Sequence, residues 1–292
     1  MFVTPDTRIV ALLGDPVSHS LSPFIHNAGF QELNLEMVYL AFRVDKGSLG
    51  NAIQGIKTFR FHGANVTIPH KQDVIFFLDE LTERAEAVGA VNSITCEYSD
   101  SGSNPHLIGD NTDVPGFLRP LGGFKEKLKD REALVWGSGG AARAVAYAIL
   151  NELDMARIHL VCRSDENGDT LARLIDPSGD RIEVVKWDYS ALSIQQATLL
   201  VNATSVGMTP IVGETPCMHP ELIHDGHIVY DLVYNPAHTP LMDQASKAGA
   251  STIEGLEMLI GQAAASFEAW TGATLPEEQL REAIRTHTQS NS

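Results

Sequence analysis

The chain has 292 residues, more than one hydrophobic core comfortably organises, so two domains are expected. Its 21 Lys plus Arg against 37 Asp plus Glu give a formal net charge of -16, which argues against a phosphate-coating basic surface and against nucleic acid as a partner. A hydrophobic fraction of 43% fits a soluble globular protein, and Cys96, Cys162 and Cys217 offer neither a Cys-x-x-Cys pair nor a disulfide framework, so a reducing cytoplasm is the expected home.

The apolar run Ile9-Val10-Ala11-Leu12-Leu13 is too short to span a membrane, and Asp6 stands where a secretory peptide carries positive charge; neither a targeting segment nor a membrane partner is expected. Runs rich in β-formers at Ile9 to Leu13, Met37 to Val44, Ala64 to Ile68 and Val91 to Glu97 alternate with helix-like stretches, the pattern of a parallel or mixed α/β sheet. Between the first two, Ser22-Pro23 reads as a hydroxyl cap followed by proline at the first helical position. Asp100 to Pro105 are turn-formers and predict a surface hairpin or loop. A second alternation follows, with strands at Ala133 to Trp136, Ile158 to Cys162, Ala197 to Val201 and Ile228 to Leu232, and it predicts a doubly wound domain. Past Gly255 the residues Leu256, Leu259, Ile260, Ala263, Phe267 and Trp270 recur at helical spacing, giving an amphipathic helix able to return to the first domain.

Directly after the Ala133 to Trp136 run comes Gly137-Ser138-Gly139-Gly140-Ala141-Ala142, a Gly-x-Gly-x-x-Ala loop opening a helix, as a dinucleotide site requires. Gly137 permits the tight turn, Gly139 lets backbone N–H groups approach a pyrophosphate, and small Ala142 lets the helix pack closely. The end of the next strand reads Cys162-Arg163-Ser164-Asp165: Arg163 can fork onto a 2′-phosphate and Ser164 can donate to it, favouring NADP, whereas an inward Asp165 would favour NAD. Two residues in turn-rich segments, Lys71 and Asp113, form the candidate proton-handling pair. Reducing a ketone needs an acid within reach of the oxygen; Lys71 supplies the proton and Asp113 orients the amine. His224-Asp225-Gly226-His227 has two imidazoles but no acid-rich partner set, so it reads as a loop and no metal is expected. His19 and His70 flank the site with no nucleophile to activate.

Taken together, Gly14 to Pro23, Asn65 to Lys71, Gly89 to Ser93, Gly109 to Asp113, the glycine loop, Asn202 to Met208, Asp231 to Tyr234 with Thr239-Pro240-Leu241, and Gly255 to Gln262 resemble the shikimate dehydrogenase family over nearly the whole chain. The resemblance implies a soluble enzyme of aromatic amino acid (chorismate) biosynthesis that reduces 3-dehydroshikimate to shikimate with NADPH, as a monomer or homodimer. It implies an N-terminal α/β substrate-binding and catalytic domain (1–112 and 255–292, the C-terminal helices returning to it) and a Rossmann-like dinucleotide-binding domain (113–254), with a cleft between them. Ser20 and Ser22 would hold the substrate carboxylate; Thr67, Lys71, Asn92, Asp113 and Gln262 would contact ring oxygens, and Tyr234 would face the substrate. Gly137, Ser138, Gly139, Gly140, Ala141, Arg163, Ser164, Leu232 and Gly255 would line the cofactor. The chain departs from the family in two places: Cys162-Arg163-Ser164-Asp165 stands where NADPH-preferring members often carry Asn-Arg-Thr and a later Arg, and Ser93 replaces the usual Thr. Two other readings stay open, a quinate/shikimate dehydrogenase using NAD and a dinucleotide-binding regulator without turnover.

Overall fold

The computed structural model describes residues 3–99, 104–209 and 212–290. The chain divides into two compact units, Met1–Thr112 with Gln262–Ser292, and Asp113–Gly261.

The first unit contains β1 (Arg8–Gly14), α1 (Ser22–Glu32), β2 (Met37–Arg43), α2 (Leu49–Thr58), β3 (Gly63–Val66), β4 (Glu80–Leu81), α3 (Glu83–Val88), β5 (Ser93–Glu97) and β6 (His106–Asp110). Its strands lie in the order β2-β1-β3-β5-β6-β4. β1 pairs in parallel with β2 and β3, while β5 runs antiparallel to β3 and β6, so the sheet is mixed. β1 is apolar along its whole centre because both of its faces are covered; at the edge, β2 leaves Leu40 and Phe42 exposed. Ala11, Leu13, Ile53, Ile56, Val66, Ile94 and Leu107 form one core, and His26, Phe30, Tyr39, Phe267 and Trp270 stack into an aromatic cluster.

The second unit contains α4 (Asp113–Leu118), α5 (Lys125–Leu128), β7 (Glu132–Trp136), α6 (Gly140–Asn151), β8 (Arg157–Cys162), α7 (Asp165–Ile175), β9 (Ile182–Lys186), α8 (Ala191–Gln196), β10 (Leu199–Asn202), β11 (Ile228–Asp231), α9 (Pro240–Lys247) and β12 (Ser251–Ile253). The strand order β12-β11-β10-β7-β8-β9, parallel throughout, is the doubly wound arrangement expected of a dinucleotide fold. The predicted α/β class and its Rossmann-like half are both present. In sheets of this kind ligands collect beyond the carboxyl ends of the strands, where the order reverses around β7 and β10.

Two helices complete the chain, α10 (Gly255–Thr271) and α11 (Glu277–Ser290). The predicted helix after Gly255 is present, yet it is not a one-sided amphipathic helix: Met258, Ile260, Ala263, Phe267 and Trp270 are buried, and so are Gln262 and Ser266. The division between the units falls inside it, at Gly261/Gln262, so its two ends serve different cores. Four strands lie outside the predicted runs. β4 and β12 have two and three residues, β9 is a half-exposed edge, and β6 ends in a Gly109-Asp110 pair that imitates a turn. Of the turn expected at Asp100 to Pro105, residues 100–103 lie outside the described residues; the strands on either side, β5 and β6, pair antiparallel.

Candidate active site

Four polar segments leave the first unit's sheet close together. Asp15, just past β1, donates its backbone N–H to Ile68 O at 2.9 Å, and Thr67 N–H donates to Leu13 O at 2.9 Å, so the segment carrying Ser20 and Ser22 starts beside the one carrying Thr67 and Lys71. Val91 N–H donates to Lys71 O at 2.7 Å, and Val66 N–H donates to Asn92 O at 2.9 Å. Asn92 Oδ1 accepts from the Thr112 N–H at 2.7 Å and from its hydroxyl at 3.2 Å. The expected residues Ser20, Ser22, Thr67, Lys71 and Asn92 therefore lie on interlinked loops of one unit. Gln262, one helical turn before Ser266 on α10, belongs to the same unit. Asp113, buried at the start of α4, and Tyr234 belong to the other.

The predicted cap at Ser22 is corrected. The helix begins at Ser22 itself, Leu21 holds the cap position, and no side chain caps there. Instead Ser20 Oγ accepts the Ser22 N–H at 3.2 Å, and the two hydroxyls stand 3.2 Å apart. Paired hydroxyls at a helix start are a suitable seat for a carboxylate.

In the second unit Gly137 follows β7 with φ 114° and donates its N–H to Val161 O at 2.8 Å. A Cβ there would sit 2.9 Å from Ala203 O, so the tight turn admits only glycine. Gly139, extended, precedes α6, whose first turn has no side-chain cap, and a Cβ at 139 would meet nothing within 4 Å. Uncapped N–H groups beside open ground fit a pyrophosphate. At the end of β8, Cys162 Sγ donates to Ser164 O at 3.3 Å, and Ser164 Oγ accepts the Asn167 N–H at 3.3 Å, capping α7. Arg163 is exposed and, among the described residues, makes neither hydrogen bond nor ion pair. A guanidinium without a partner beside a capped helix start fits a phosphate. Leu232 and Gly255 touch: a Cβ at 255 would lie 2.5 Å from Leu232 O, so only glycine lets α10 begin there.

Residues 12–94 match the family model described as the shikimate dehydrogenase substrate binding domain, and residues 255–285 match the shikimate 5'-dehydrogenase C-terminal domain. A shikimate dehydrogenase (NADP(+)) from Salinibacter ruber is 44% identical, over 96% of this chain and 97% of its own. The chain belongs to the shikimate dehydrogenase family. A crystal structure of shikimate dehydrogenase in complex with NADP+ superposes with a TM-score of 0.88 at 35% identity, covering 98% of both chains. The shikimate 5-dehydrogenase of Thermus thermophilus, in complex with NADP(H) and shikimate, superposes with a TM-score of 0.82 at 34% identity, covering 96% of this chain and 99% of that one.

Within this shikimate dehydrogenase family chain, several supporting residues carried no sequence signal. Asn65 Nδ2 donates to Asn92 O at 2.9 Å and to Ser266 Oγ at 3.1 Å, while its Oδ1 accepts from the Tyr39 hydroxyl at 2.8 Å. Ser266 Oγ is in turn 3.0 Å from Thr112 Oγ1. Asp110 holds the approach to Asp113 by accepting from Thr82 Oγ1 at 2.6 Å and Arg84 Nη2 at 2.5 Å. In the second unit, buried Asp231 accepts from Thr239 Oγ1 at 2.6 Å, Asn202 Nδ2 at 2.8 Å and the Val233 N–H at 3.0 Å, tying the loops after β10 and β11 together. Burial pushes its carboxyl up, and those three donors oppose the shift.

The histidines have structural partners. His70 Nε2 meets Val44 O at 2.6 Å, fixing the Lys71 loop to the end of β2. In the turn before β11, His227 Nδ1 accepts from the His224 N–H at 3.0 Å and Nε2 bonds Ile194 O at 3.0 Å. His19 is exposed.

Proposed function

We propose that the chain is an NADP-dependent shikimate dehydrogenase, reversibly reducing 3-dehydroshikimate to shikimate in aromatic amino acid biosynthesis. The observation that carries this reading is the linked set of loops holding Ser20, Ser22, Thr67, Lys71, Asn92 and Thr112, in a chain whose second unit has a glycine loop without a side-chain cap and an Arg163 with no partner among the described residues. Residues 1–112 and 255–292 are assigned here to the substrate-binding and catalytic domain and 113–254 to the dinucleotide-binding domain; the matches at 12–94 and 255–285 support the two outer segments, while the compact units divide a little later, at Gly261/Gln262.

Bound NADPH supplies the hydride. The hydroxyls of Ser20 and Ser22 hold the substrate carboxylate, and Thr67, Asn92, Asp113 and Gln262 fix the ring oxygens, with Tyr234 facing the ring. Lys71 donates the proton to the carbonyl oxygen as negative charge develops there, and Asp113 orients the amine. Gly137 to Ala141 cradle the pyrophosphate, Arg163 and Ser164 take the 2′-phosphate, and Leu232 and Gly255 border the nicotinamide. Nothing in the mechanism needs a metal. The three cysteines are free and buried, which suits a cytoplasmic enzyme, here placed as a monomer or homodimer.

Lys71→Ala is expected to lower kcat by roughly 10²- to 10⁴-fold while shikimate binding, read by calorimetry, changes little. Turnover close to the parent protein's would reject Lys71 as the proton donor. Assaying shikimate and quinate against NADP and NAD side by side completes the test: activity confined to quinate with NAD would replace this reading, and no turnover with any pair would leave only a dinucleotide-binding regulator.

A further inference from the structure

The cofactor corner contains a second cation that no motif marks. β8 and β9 pair in parallel with Cys162 opposite Lys186, so the two chains leave the sheet side by side at its carboxyl edge. Backbones paired this way are about 5 Å apart. Arg163 and Ser164 follow on one strand, and Lys186 closes the other. Lys186 Nζ lies 3.8 Å from Asp165 Oδ2, with both side chains well exposed. That pairing answers the acid nearest in sequence to Ser164: Asp165 faces a neighbouring ammonium, and Glu166 follows it in the first turn of α7. Arg163 is left with no anion of the protein to occupy it among the described residues.

We propose that Lys186 is a specificity-determining residue for the 2′-phosphate. Its ammonium offsets the Asp165 carboxylate, so that the positive charge of Arg163 stands unopposed by that acid where the phosphorylated ribose is read. A 2′-phosphate carries close to two negative charges near neutral pH, so an Asp165 carboxylate without a neighbouring cation would repel it strongly. A ribose hydroxyl presents none, so Lys186 discriminates between the two dinucleotides and does not simply strengthen both. The ammonium acts as a point charge while the Arg163 fork supplies direction. This inference rests on the NADP reading above.

The test separates the phosphate from the chemistry by titrating the protein calorimetrically with 2′,5′-ADP and with 5′-AMP, fragments that differ in the 2′-phosphate. Lys186→Ala is expected to weaken 2′,5′-ADP about tenfold and 5′-AMP less than twofold, with Lys186→Arg restoring the difference. Adding Asp165→Asn to Lys186→Ala should recover part of the loss, since the double-mutant cycle isolates their coupling. The melting temperature should stay within about 2 °C for these exposed sites. Equal weakening of both fragments, or of neither, overturns the role of Lys186. If the unaltered protein fails to prefer 2′,5′-ADP, the NADP reading itself falls, an outcome distinct from a preference that survives Lys186→Ala.

Discussion

Asn65 shows how much one buried amide can organise. It joins β2 through Tyr39, the Asn92 segment through a backbone carbonyl, and α10 through Ser266. Replacing it with Ala would remove one hydrogen bond from each of three buried groups, of which Asn92 O keeps the Val66 N–H and Ser266 Oγ keeps the Thr112 hydroxyl, and each lost bond is worth about 0.5–1.5 kcal/mol. Asn65→Ala is therefore expected to lose roughly 2–4 kcal/mol of stability and to raise the KM for shikimate, because Asn92 and Thr112 lose their backing. Denaturant melts and steady-state kinetics check it; unchanged values of both would show that the network is ornamental. Nothing in the sequence around Asn65 announces this role, since its partners are 26 to 201 positions away along the chain. Lys71, Arg163 and the glycines were legible because their chemistry follows from residue type and neighbours alone. Lys186 was not, because its place beside Cys162 exists only through strand pairing.

At the scale of an element, the start of α7 carries two tasks on one hydroxyl. Ser164 Oγ accepts the Asn167 N–H, and the same group is the proposed donor to the 2′-phosphate. The tasks separate by substitution. Ser164→Ala should cost about 1 kcal/mol of stability, the usual loss of a cap. Ser164→Asp should keep the cap and favour the helix dipole, holding stability within about 0.5 kcal/mol, yet move cofactor preference towards NAD because a carboxylate repels phosphate. Melting curves and the ratio of kcat/KM for the two dinucleotides report the two effects; an Asp variant that still prefers NADP would remove Ser164 from the phosphate site. The strands of the second unit's centre were readable as apolar runs, since a parallel sheet buries both faces. α10 was readable as a helix but not as one buried on most sides, because a periodic pattern does not reveal that the chain changes units within it.

Across the whole molecule, burial of neutral histidines links stability to pH. His26 lies fully buried in the aromatic cluster, and desolvation lowers its imidazole from an ordinary 6.5 to about 3; burial lowers His62 and His227 as well. A histidine depressed in the folded state leaves the unfolded chain binding more protons, so its stabilising contribution is complete above pH 6.5 and drains away as the pH falls towards 3. For His26 the gap amounts to about 5 kcal/mol once both values are passed. His26→Phe, which keeps the stack on Tyr39, should flatten the fall in unfolding free energy, read from urea melts, between pH 7 and 5 by roughly 1–2 kcal/mol. Parent and variant curves that run parallel would assign the acid sensitivity to other groups.

By itself the sequence determined the α/β class, the dinucleotide loop, the family and the chemically competent side chains, because each depends on short stretches whose residue types dictate local backbone and reactivity. The tertiary structure alone decided which carboxylate meets which cation and where α10 passes from one core to the other. Those facts come from pairing between segments distant in the chain, where register and packing set the neighbours.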